Sequence, residues 1–325
     1  MQAITFTTPG GPEVLHLATA PDPVPTAEQI VVRVRATALN RADTLQRRGL
    51  YPSPPGESDI LGLELAGEVE SIGAAVKGVA PGDRVCGLVG GGGYAEKAVL
   101  DARMVIPIPA GWSFVQAAAV PEVFFTAQET LFTLGNLQKG ETVLIHAAAS
   151  GVGTAGIQMA REVGARMFIT AGSEEKIRRC IELGATAGCN YKERDFAEWV
   201  KEATQGQGVE LIEDFIGAGY WNQNLQSLKT GGRLVLVGLM GGVKVEANLQ
   251  LIMGKRLQIF GSVLRSRPLA DKIDITQRFR TRWLPLLASG QIIPIIDRTF
   301  PLAQAAEAHR YMEENRNFGK IVLEV

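Results

Sequence analysis

Short apolar runs closed by turns dominate residues 1–120 of the chain. Four of them have the composition of β-strands, at residues 29–39, 66–73, 83–90 and 95–100. The glycines and prolines between them are typical of turns. Short strands without helical patterns between them are typical of barrels and sandwiches. The pattern therefore predicts a twisted β-barrel domain over residues 1–120.

The spacing of apolar residues changes from residue 121 onward, where β-type runs alternate with helical patterns. Six such runs are present, at residues 142–147, 166–172, 187–191, 209–216, 232–238 and 257–263. Parallel strands need helical crossovers, so this alternation predicts a doubly wound parallel sheet with helices on both faces. We expect this α/β domain to span residues 121–266.

The last part of the chain, residues 267–325, combines helical and strand-like patterns. One helical segment surrounds Trp283 and a second covers residues 306–312. The closing residues 319–325 alternate like a half-buried strand. We expect this strand to return to the first domain.

Length and charge narrow the classes of function. A chain of 325 residues suits two domains and needs no disulfide or metal for stability. Its 33 basic and 34 acidic side chains nearly cancel, which gives no electrostatic case for a nucleic-acid or membrane partner. Cys86, Cys180 and Cys189 are scattered, and the sequence has no leader pattern and no apolar run of membrane-span length. We expect a soluble, cytoplasmic protein without a disulfide framework.

A glycine-rich turn joins the first parallel strand to the helix that follows it. Gly151, Gly153 and Gly156 form the pattern GxGxxG after the apolar run TVLI, and Ile157 and Ala160 share one face of the next helical segment. Glycines there let a pyrophosphate approach the N–H groups at the helix start, where a side chain would hold it away. The turn predicts a dinucleotide site. A tight β-to-α turn without a ligand is the alternative.

The residues after the second parallel strand bear on which dinucleotide binds. An NAD site places a carboxylate there to accept from the ribose 2′-hydroxyl, but residues 170–173 read Thr-Ala-Gly-Ser. Ser173, Lys176 and Tyr191 instead offer donors and a positive charge, as a 2′-phosphate requires. NADPH is therefore the predicted cofactor. The alternative for Lys176 is a solvated helix-surface charge. Glu174 and Glu175 in the next helix turn argue against NADPH, because either could turn toward the ribose.

The histidines and cysteines do not form a metal-binding or nucleophile pattern. His16, His146 and His309 are far apart in the sequence and lie near no cysteine. We expect His146 to be packed, His309 to lie on the surface of a late helix, and Cys180 and Cys189 to lie in the core. Since there is no Gly-x-Ser-x-Gly elbow either, we expect the chemistry to come from the cofactor.

Six segments in sequence order carry a family resemblance. They are ALNRAD at 38–43, ILGLELAG at 60–67, HAAASGVGTAGIQ at 146–158, GLMGG at 238–242, SVLRSR at 262–267 and GKIVLEV at 319–325. Together they resemble the zinc-free quinone oxidoreductase branch of the medium-chain dehydrogenase/reductase superfamily, which contains zeta-crystallin. The resemblance implies a GroES-like β-barrel substrate domain and a Rossmann domain that binds NADPH.

The resemblance also implies that no metal is bound. Zinc-containing members of the superfamily have Gly-His-Glu where this chain has Gly62, Leu63 and Glu64, and a cysteine where Asn40 stands. Leucine cannot bind zinc. The four-cysteine lobe of those members is missing as well.

The positions of the site residues follow from the resemblance. Asn40 and Tyr51 would line the nicotinamide end of the cleft and act in catalysis, and Thr126 would contact the nicotinamide from the start of the linking helix. The other cofactor contacts would be Ala148, Ser150, Gly151 and Val152 at the pyrophosphate, Gly172, Ser173, Lys176 and Tyr191 at the 2′-phosphate, Gly217, Gly238, Met240, Ser262 and Leu264 along the strand tips, and Asn315, Phe318 and Lys320 closing over the cofactor. Plainer alternatives make Thr126 a helix cap and Leu264 strand core. Asn40 could satisfy a turn, and Tyr51 could be ordered by the proline-rich loop after it.

The function implied is hydride transfer from NADPH to a quinone bound between the two domains. Water or the Tyr51 hydroxyl could supply the proton, because a quinone is reduced to a stable aromatic phenolate. One alternative is an NADPH-dependent reductase of activated alkenes, in which Tyr51 would be essential. Another is a structural or RNA-associated NADPH-binding protein, against which the near-neutral charge argues. The resemblance further implies a homodimer in which the edge strand 257–263 pairs with its symmetry mate.

Overall fold

The computed structural model describes all residues, 1–325, and divides them into two compact units. The first unit combines Met1–Phe125 with Leu264–Val325, and the second is Thr126–Val263. The closing segment of the chain therefore belongs to the first unit. None of the helices is both long enough and apolar enough to cross a membrane.

The chain forms fifteen strands and eleven α-helices. The strands are β1 (Gln2–Thr5), β2 (His16–Thr19), β3 (Gln29–Ala38), β4 (Glu64–Ile72), β5 (Arg84–Leu88), β6 (Lys97–Asp101), β7 (Ile106–Pro107), β8 (Thr142–Ile145), β9 (Arg166–Ala171), β10 (Ala187–Asn190), β11 (Val209–Asp214), β12 (Leu228–Leu236), β13 (Gln258–Gly261), β14 (Ile296–Pro301) and β15 (Lys320–Glu324). The helices are α1 (Arg41–Arg47), α2 (Phe114–Ala118), α3 (Pro121–Ala127), α4 (Gly151–Glu162), α5 (Glu174–Leu183), α6 (Phe196–Ala203), α7 (Trp221–Ser227), α8 (Leu249–Lys255), α9 (Leu269–Arg282), α10 (Leu284–Ala288) and α11 (Ala305–Glu313). A π-helical segment, Gln128–Leu134, directly follows α3.

A seven-stranded sheet forms the body of the first unit. Its strand order is β14-β15-β3-β4-β5-β7, and β6 also pairs with β3. Within strand β3, Val32 and Val34 are buried while Arg33 is exposed, because successive side chains of a strand point to opposite faces. The closing strand β15 adds antiparallel to β3. The predicted β-rich fold of this domain is confirmed.

The core of the first unit draws on both of its chain segments. Leu39, Leu61 and Tyr94 from the N-terminal segment belong to the same buried cluster as Phe300 and Ile321 from the C-terminal segment. Burial of apolar surface at this junction holds β15 in place. As a result, the first residue of β15 is carried into the interior next to the end of β3.

The second unit contains a six-stranded parallel sheet of order β10-β9-β8-β11-β12-β13. This order is 3-2-1-4-5-6 in chain numbering, which is that of dinucleotide-binding domains. All six strands occur where the apolar runs predicted them, so the doubly wound sheet is confirmed. Strand order reverses between β8 and β11, and ligands of such sheets bind at the carboxyl ends of the strands at that point.

Candidate active site

The glycine-rich turn between β8 and α4 has the geometry of an anion site. Ser150 is the N-cap of α4, and its Oγ accepts a hydrogen bond from Gly153 N at 3.1 Å. A Cβ at Gly153 would lie 2.5 Å from both the Cα and the carbonyl oxygen of Ala148, so no side chain fits there. Gly151 and Val152 occupy the first helical positions, where N–H groups have no acceptor within the helix. These donors can bind an anion at the positive end of α4.

The end of β9 gathers the residues predicted for the 2′-phosphate. Ser173 caps α5 by accepting from Lys176 N at 3.3 Å, which places Lys176 in the first turn of that helix. A Cβ at Gly172 would lie 3.0 Å from the Tyr191 hydroxyl and 3.2 Å from Cε of Lys192. Gly172, Tyr191 and Lys192 therefore meet at one corner, which we call the β9 corner together with Ser173 and Lys176.

Lys192 was not predicted from the sequence. The sequence shows that Lys192 directly follows Tyr191, but only the parallel pairing of β10 with β9 brings Lys192 beside Gly172. Glu174 and Glu175 lie exposed in the first turn of α5, where carboxylates favour the helix dipole.

A buried polar chain ties together the carboxyl ends of β8, β9 and β11. His146 Nδ1 lies 2.8 Å from Thr170 Oγ1, and its Nε2 lies 2.7 Å from Asn224 Oδ1. The amide oxygen can only accept, so Nε2 carries the proton and Nδ1 accepts from the threonine hydroxyl. Asn224 Nδ2 donates in turn to Asp214 Oδ2 at 3.0 Å. Burial lowers the pKa of His146 to about 4, which keeps the ring neutral.

His146 is thus packed, as predicted, whereas the roles of Asp214 and Asn224 were not predicted. Asp214 also accepts from the backbone N of Ile216 at 2.7 Å and of Gly217 at 3.1 Å, which shapes the loop after β11. Burial raises the pKa of Asp214 to about 6, and these hydrogen bonds oppose that shift. The polar chain therefore fixes the loop after β11, at the carboxyl ends of the parallel strands.

The loops after β11 and β12 contact each other closely. Gly217 has a φ of +76°, a conformation that favours glycine. A Cβ at Gly238 would lie 2.9 Å from the carbonyl oxygen of Phe215, and Met240 N donates to the same oxygen at 3.2 Å. Ser262 N donates at 2.9 Å to the last carbonyl of β12. All four predicted residues therefore follow the carboxyl ends of β11, β12 and β13.

Asn40 in the first unit is the N-cap of α1, and its backbone is held by a buried acid. Asn40 N donates to Asp43 Oδ2 at 2.7 Å, and Asp43 Oδ1 accepts from Gly62 N at 3.3 Å. The Tyr94 hydroxyl donates to Asp43 Oδ2 at 3.2 Å. Burial raises the pKa of Asp43 to about 6 in spite of these hydrogen bonds.

The Asn40 side chain is joined to Glu64 and Lys320. Asn40 Nδ2 donates to Glu64 Oε1 at 2.8 Å. Lys320 Nζ donates to Asn40 Oδ1 at 2.8 Å and to Glu64 Oε1 at 2.7 Å. Glu64 has no exposed surface, and Lys320 is 3% exposed. Lys320 is therefore an interior residue of the first unit.

Tyr51 lies beside Arg265, a residue that was not predicted. The Arg265 guanidinium carbon is 5.5 Å from the centre of the Tyr51 ring. Arg265 Nε donates to Gly90 O at 2.8 Å and Nη2 donates to Ser53 Oγ at 3.2 Å. Burial raises the pKa of Tyr51, and the Glu122 carboxylate raises it further, so the phenol keeps its proton at neutral pH.

Glu122 is a second proton-bearing group near Tyr51. Its backbone N donates to Glu64 Oε2 at 2.9 Å, and its side chain is half-buried. Burial and then the Glu64 carboxylate raise the pKa of Glu122 to about 8. Glu122 was not predicted, because a glutamate in the first turn of a helix ordinarily faces solvent.

The three other predicted residues of the first unit lie in different surroundings. Leu264 is buried, but it lies outside β13, so it belongs to the core and not to a strand. The Phe318 side chain is buried, and Phe318 N donates to Asp297 Oδ1 at 3.0 Å. Asn315 has a φ of +54°, and its Oδ1 accepts from Arg41 Nη2 at 2.8 Å.

The predicted position of Thr126 at the start of a helix was wrong. Helix α3 begins at Pro121, because proline is favoured at the first helical position and needs no N–H acceptor there. Thr126 lies near the end of α3, just before the π-helical segment, and its carbonyl accepts from Thr130 Oγ1 at 2.8 Å.

The predicted surface position of His309 was also wrong. The ring has no exposed surface, because the face of α11 that carries it is covered by the core of the first unit. His309 Nδ1 lies 3.1 Å from Arg47 Nη1, and Arg47 Nη2 donates to Glu313 Oε1 at 2.6 Å. A polar chain therefore runs from half-exposed Glu313 into the interior.

No group of three or more His, Cys, Asp or Glu side chains is arranged to hold a metal ion. The three cysteines are buried free thiols, so the predicted core positions of Cys180 and Cys189 are confirmed. Burial raises the pKa of Cys180 to about 12, which keeps this thiol protonated and unreactive.

Comparison with known proteins agrees with both units. The family described as zinc-binding dehydrogenase matches residues 151–281, and the alcohol dehydrogenase GroES-like domain matches residues 26–110. The chain is 36% identical to a quinone oxidoreductase of Pseudomonas aeruginosa over 98% of both chains. It is 31% identical to the structure of an Escherichia coli quinone oxidoreductase complexed with NADPH, with a TM-score of 0.92 and complete coverage of both chains. The structure of CurK enoyl reductase is 28% identical, with a TM-score of 0.89 and coverage of 99% and 98%.

The β-rich first unit, the parallel sheet and the glycine-rich turn are those of a two-domain oxidoreductase. At this identity over nearly the full length of its relatives, the chain belongs to the medium-chain dehydrogenase/reductase superfamily, in the branch of the quinone oxidoreductases. The family resemblance predicted from the six sequence segments is confirmed.

Proposed function

We propose that the protein transfers hydride from NADPH to a quinone without a bound metal. The β9 corner carries this proposal, because a serine, a tyrosine and two lysines stand where an NAD site has a carboxylate. The Escherichia coli quinone oxidoreductase, which this chain resembles over its full length, is complexed with NADPH. We assign the second unit to the cofactor and the first unit to the substrate.

The second unit fits a phosphorylated dinucleotide. The N–H groups of Gly151 and Val152 would hold the pyrophosphate, and the lack of a Cβ at Gly153 keeps the turn compact. Ser173 and Lys176 would bind the 2′-phosphate, since charged hydrogen bonds to a phosphate are each worth about 1.5 to 3 kcal/mol. When bound, NADPH supplies the hydride from its nicotinamide ring.

The first unit supplies the groups that handle the acceptor. Tyr51 keeps a proton on Oη at neutral pH and can donate it, or a hydrogen bond, to an acceptor oxygen. A quinone needs no stronger acid, because its reduced form is an aromatic phenolate. Asn40 has a fixed backbone and a fixed amide, so it can orient the reacting group.

Reduction of activated alkenes is the second candidate function. Glu122 favours it, because a protonated carboxyl near Tyr51 could return a proton to the phenol after Tyr51 has protonated the α-carbon of a reduced enone. The similarity to CurK enoyl reductase agrees with this candidate.

One assay tests the proposed function directly. The purified protein is mixed with NADPH or NADH and with each member of a set of ortho-quinones, para-quinones, enals and enones, and the absorbance of the reduced cofactor is followed. We expect turnover of quinones with NADPH and weaker turnover with NADH. Turnover of enals alone would replace the proposal with the second candidate. No turnover with any acceptor would favour the alternative that the protein binds NADPH without acting as an enzyme.

We further propose a cytoplasmic homodimer. Strand β13 is at the edge of the parallel sheet and pairs only with β12, so one row of its backbone groups is open. Ile259 and Phe260 on this strand are half-buried, and an open apolar edge favours pairing with a second copy. Sedimentation equilibrium should give a dimer for the native chain and a monomer for Phe260→Lys.

The proposed cytoplasmic location is supported by the three free thiols, which suit a reducing compartment.

A further inference from the structure

Lys320 and Glu64 form an ion pair inside the first unit. Lys320 Nζ lies 2.7 Å from Glu64 Oε1, and the two residues are 3% and 0% exposed. Removing two charges from water is costly, and a buried pair of this kind is often no more stabilising than two apolar residues of similar size. Stability alone therefore does not explain why Lys320 and Glu64 are buried together.

The three donors of the Lys320 ammonium are all used inside the unit. Nζ donates to Leu39 O at 2.6 Å, to Asn40 Oδ1 at 2.8 Å and to Glu64 Oε1 at 2.7 Å. An ammonium has three donors and no acceptor. Lys320 therefore has no hydrogen bond left for a ligand, and any effect on a ligand passes through its partners.

Asn40 is the partner through which such an effect would pass. Its Nδ2 has two hydrogens, and it donates to Glu64 Oε1 at 2.8 Å and to Ala38 O at 3.3 Å. Its Oδ1 accepts from Lys320 Nζ at 2.8 Å. A flipped amide would point its NH₂ at an ammonium and its oxygen at a carboxylate. The charges of Lys320 and Glu64 thus allow only one orientation.

We propose that Lys320 is a positioning residue that makes Asn40 a hydrogen-bond acceptor and prevents it from donating. This inference rests on the proposed function. The backbone of Asn40 is held independently by Asp43, so only the amide orientation depends on the ion pair. A ligand that forms a hydrogen bond with Asn40 Oδ1 must then present an N–H or O–H donor. In NADPH, the carboxamide of the nicotinamide is a group that carries such a donor.

Two cofactors that differ only in this donor provide the test. One is NADPH, and the other is its reduced 3-acetylpyridine analogue, which has a ketone in place of the carboxamide and therefore no N–H. The Kd of each is measured by equilibrium fluorescence titration without any acceptor. The variants are Lys320→Met and Lys320→Arg, and Lys272→Met is the matched control because it removes another buried ammonium of the same unit, paired with Glu57.

We expect the native protein and Lys272→Met to bind NADPH more tightly than the analogue. In the double variant Lys320→Met with Glu64→Gln, which removes both charges that fix the amide, the Kd of the analogue divided by the Kd of NADPH should fall by about tenfold, which is the size of one hydrogen bond at the upper end of the neutral range. Lys320→Met alone should lower this ratio less, because the Glu64 carboxylate still accepts from Asn40 Nδ2. Lys320→Arg, which keeps the charge and the donors, should retain part of the ratio.

An unchanged ratio in the folded variants, or a ratio near one in the native protein, would overturn the inference. Tight binding of NADPH with an unchanged ratio would leave the proposed function intact. Failure of the native protein to bind NADPH at all would instead remove the proposed function, and this inference with it.

Discussion

His309 Nε2 lies 3.2 Å from Tyr94 Oη, and Arg47 sets the direction of every hydrogen bond in their chain. Guanidinium can only donate, so His309 Nδ1 accepts from Arg47 Nη1 and Nε2 carries the proton. His309 then donates to the Tyr94 hydroxyl, which donates to Asp43. Asp43 accepts from the backbone N of Asn40. Helix α11 is therefore connected by buried hydrogen bonds to a candidate catalytic residue.

The first prediction concerns stability against acid. Burial and then the Arg47 charge lower the pKa of His309 to about 3, while an unfolded histidine titrates at about 6.5. Between these values the unfolded state binds a proton that the folded state does not. The free energy of unfolding therefore falls as the pH drops from 6.5 toward 3, by up to about 1.4 kcal/mol per pH unit for this group.

The variant His309→Gln removes this titration. We expect it to be less stable than the native protein at neutral pH but to lose stability less steeply on acidification. Urea unfolding at several pH values below neutrality measures both quantities. His16→Gln is the control, because His16 is exposed. Parallel curves for the native protein and His309→Gln would contradict the prediction.

The second prediction concerns the β9 corner. Lys176→Ala and Lys192→Ala should each raise the KM for NADPH by about tenfold or more and leave the KM for NADH nearly unchanged, because only NADPH carries the 2′-phosphate. Steady-state kinetics with one quinone and both cofactors measures the effect. Lys201→Ala on α6 is the control, since this lysine is an exposed helix-surface charge. Equal effects on the two cofactors would remove the substituted lysine from the phosphate site.

The third prediction separates the two candidate reactions at Tyr51. Tyr51→Phe should reduce kcat for a quinone by less than about threefold, because water can protonate the phenolate product. Any reduction of an enone should fall by about a hundredfold, since the carbanion needs a placed acid. Measurement of kcat for both acceptors at saturating NADPH decides between them. A large loss with quinones would make Tyr51 the obligatory proton donor in both reactions.

The fourth prediction concerns the glycine-rich turn. Gly153→Ala places a Cβ 2.5 Å from the Ala148 backbone, so the turn must shift at a cost of about 1 to 3 kcal/mol. We expect a lower melting temperature and a Kd for NADPH raised by about tenfold or more. Gly254→Ala within α8 is the matched control, because its Cβ would meet no atom within 4 Å and should stabilise the helix by about 1 kcal/mol. A Gly153→Ala protein with native Kd and melting temperature would contradict the prediction.

Much of the second unit could be predicted from the sequence because its signals are local. Each parallel strand overlaps a short β-type run in the sequence, and the GxGxxG turn lies within a few residues of the strand and the helix that it joins. The missing carboxylate after β9 is equally visible in a single short segment. Lys192 was missed because its place beside Gly172 depends on the pairing of β10 with β9.

The alternation of strands and helices, the glycine-rich turn and the family could be predicted from the order of residues alone, since these are properties of neighbouring residues and of the order of segments. Which charges meet depends instead on the fold in three dimensions. Lys320 and Glu64 are 256 residues apart in the chain, and His309 and Tyr94 are 215 apart. A lysine and a histidine near the end of a chain ordinarily lie in water, where their charged forms are well solvated. Only the return of α11 and β15 to the first unit buries them, and burial makes their few hydrogen-bond partners decisive.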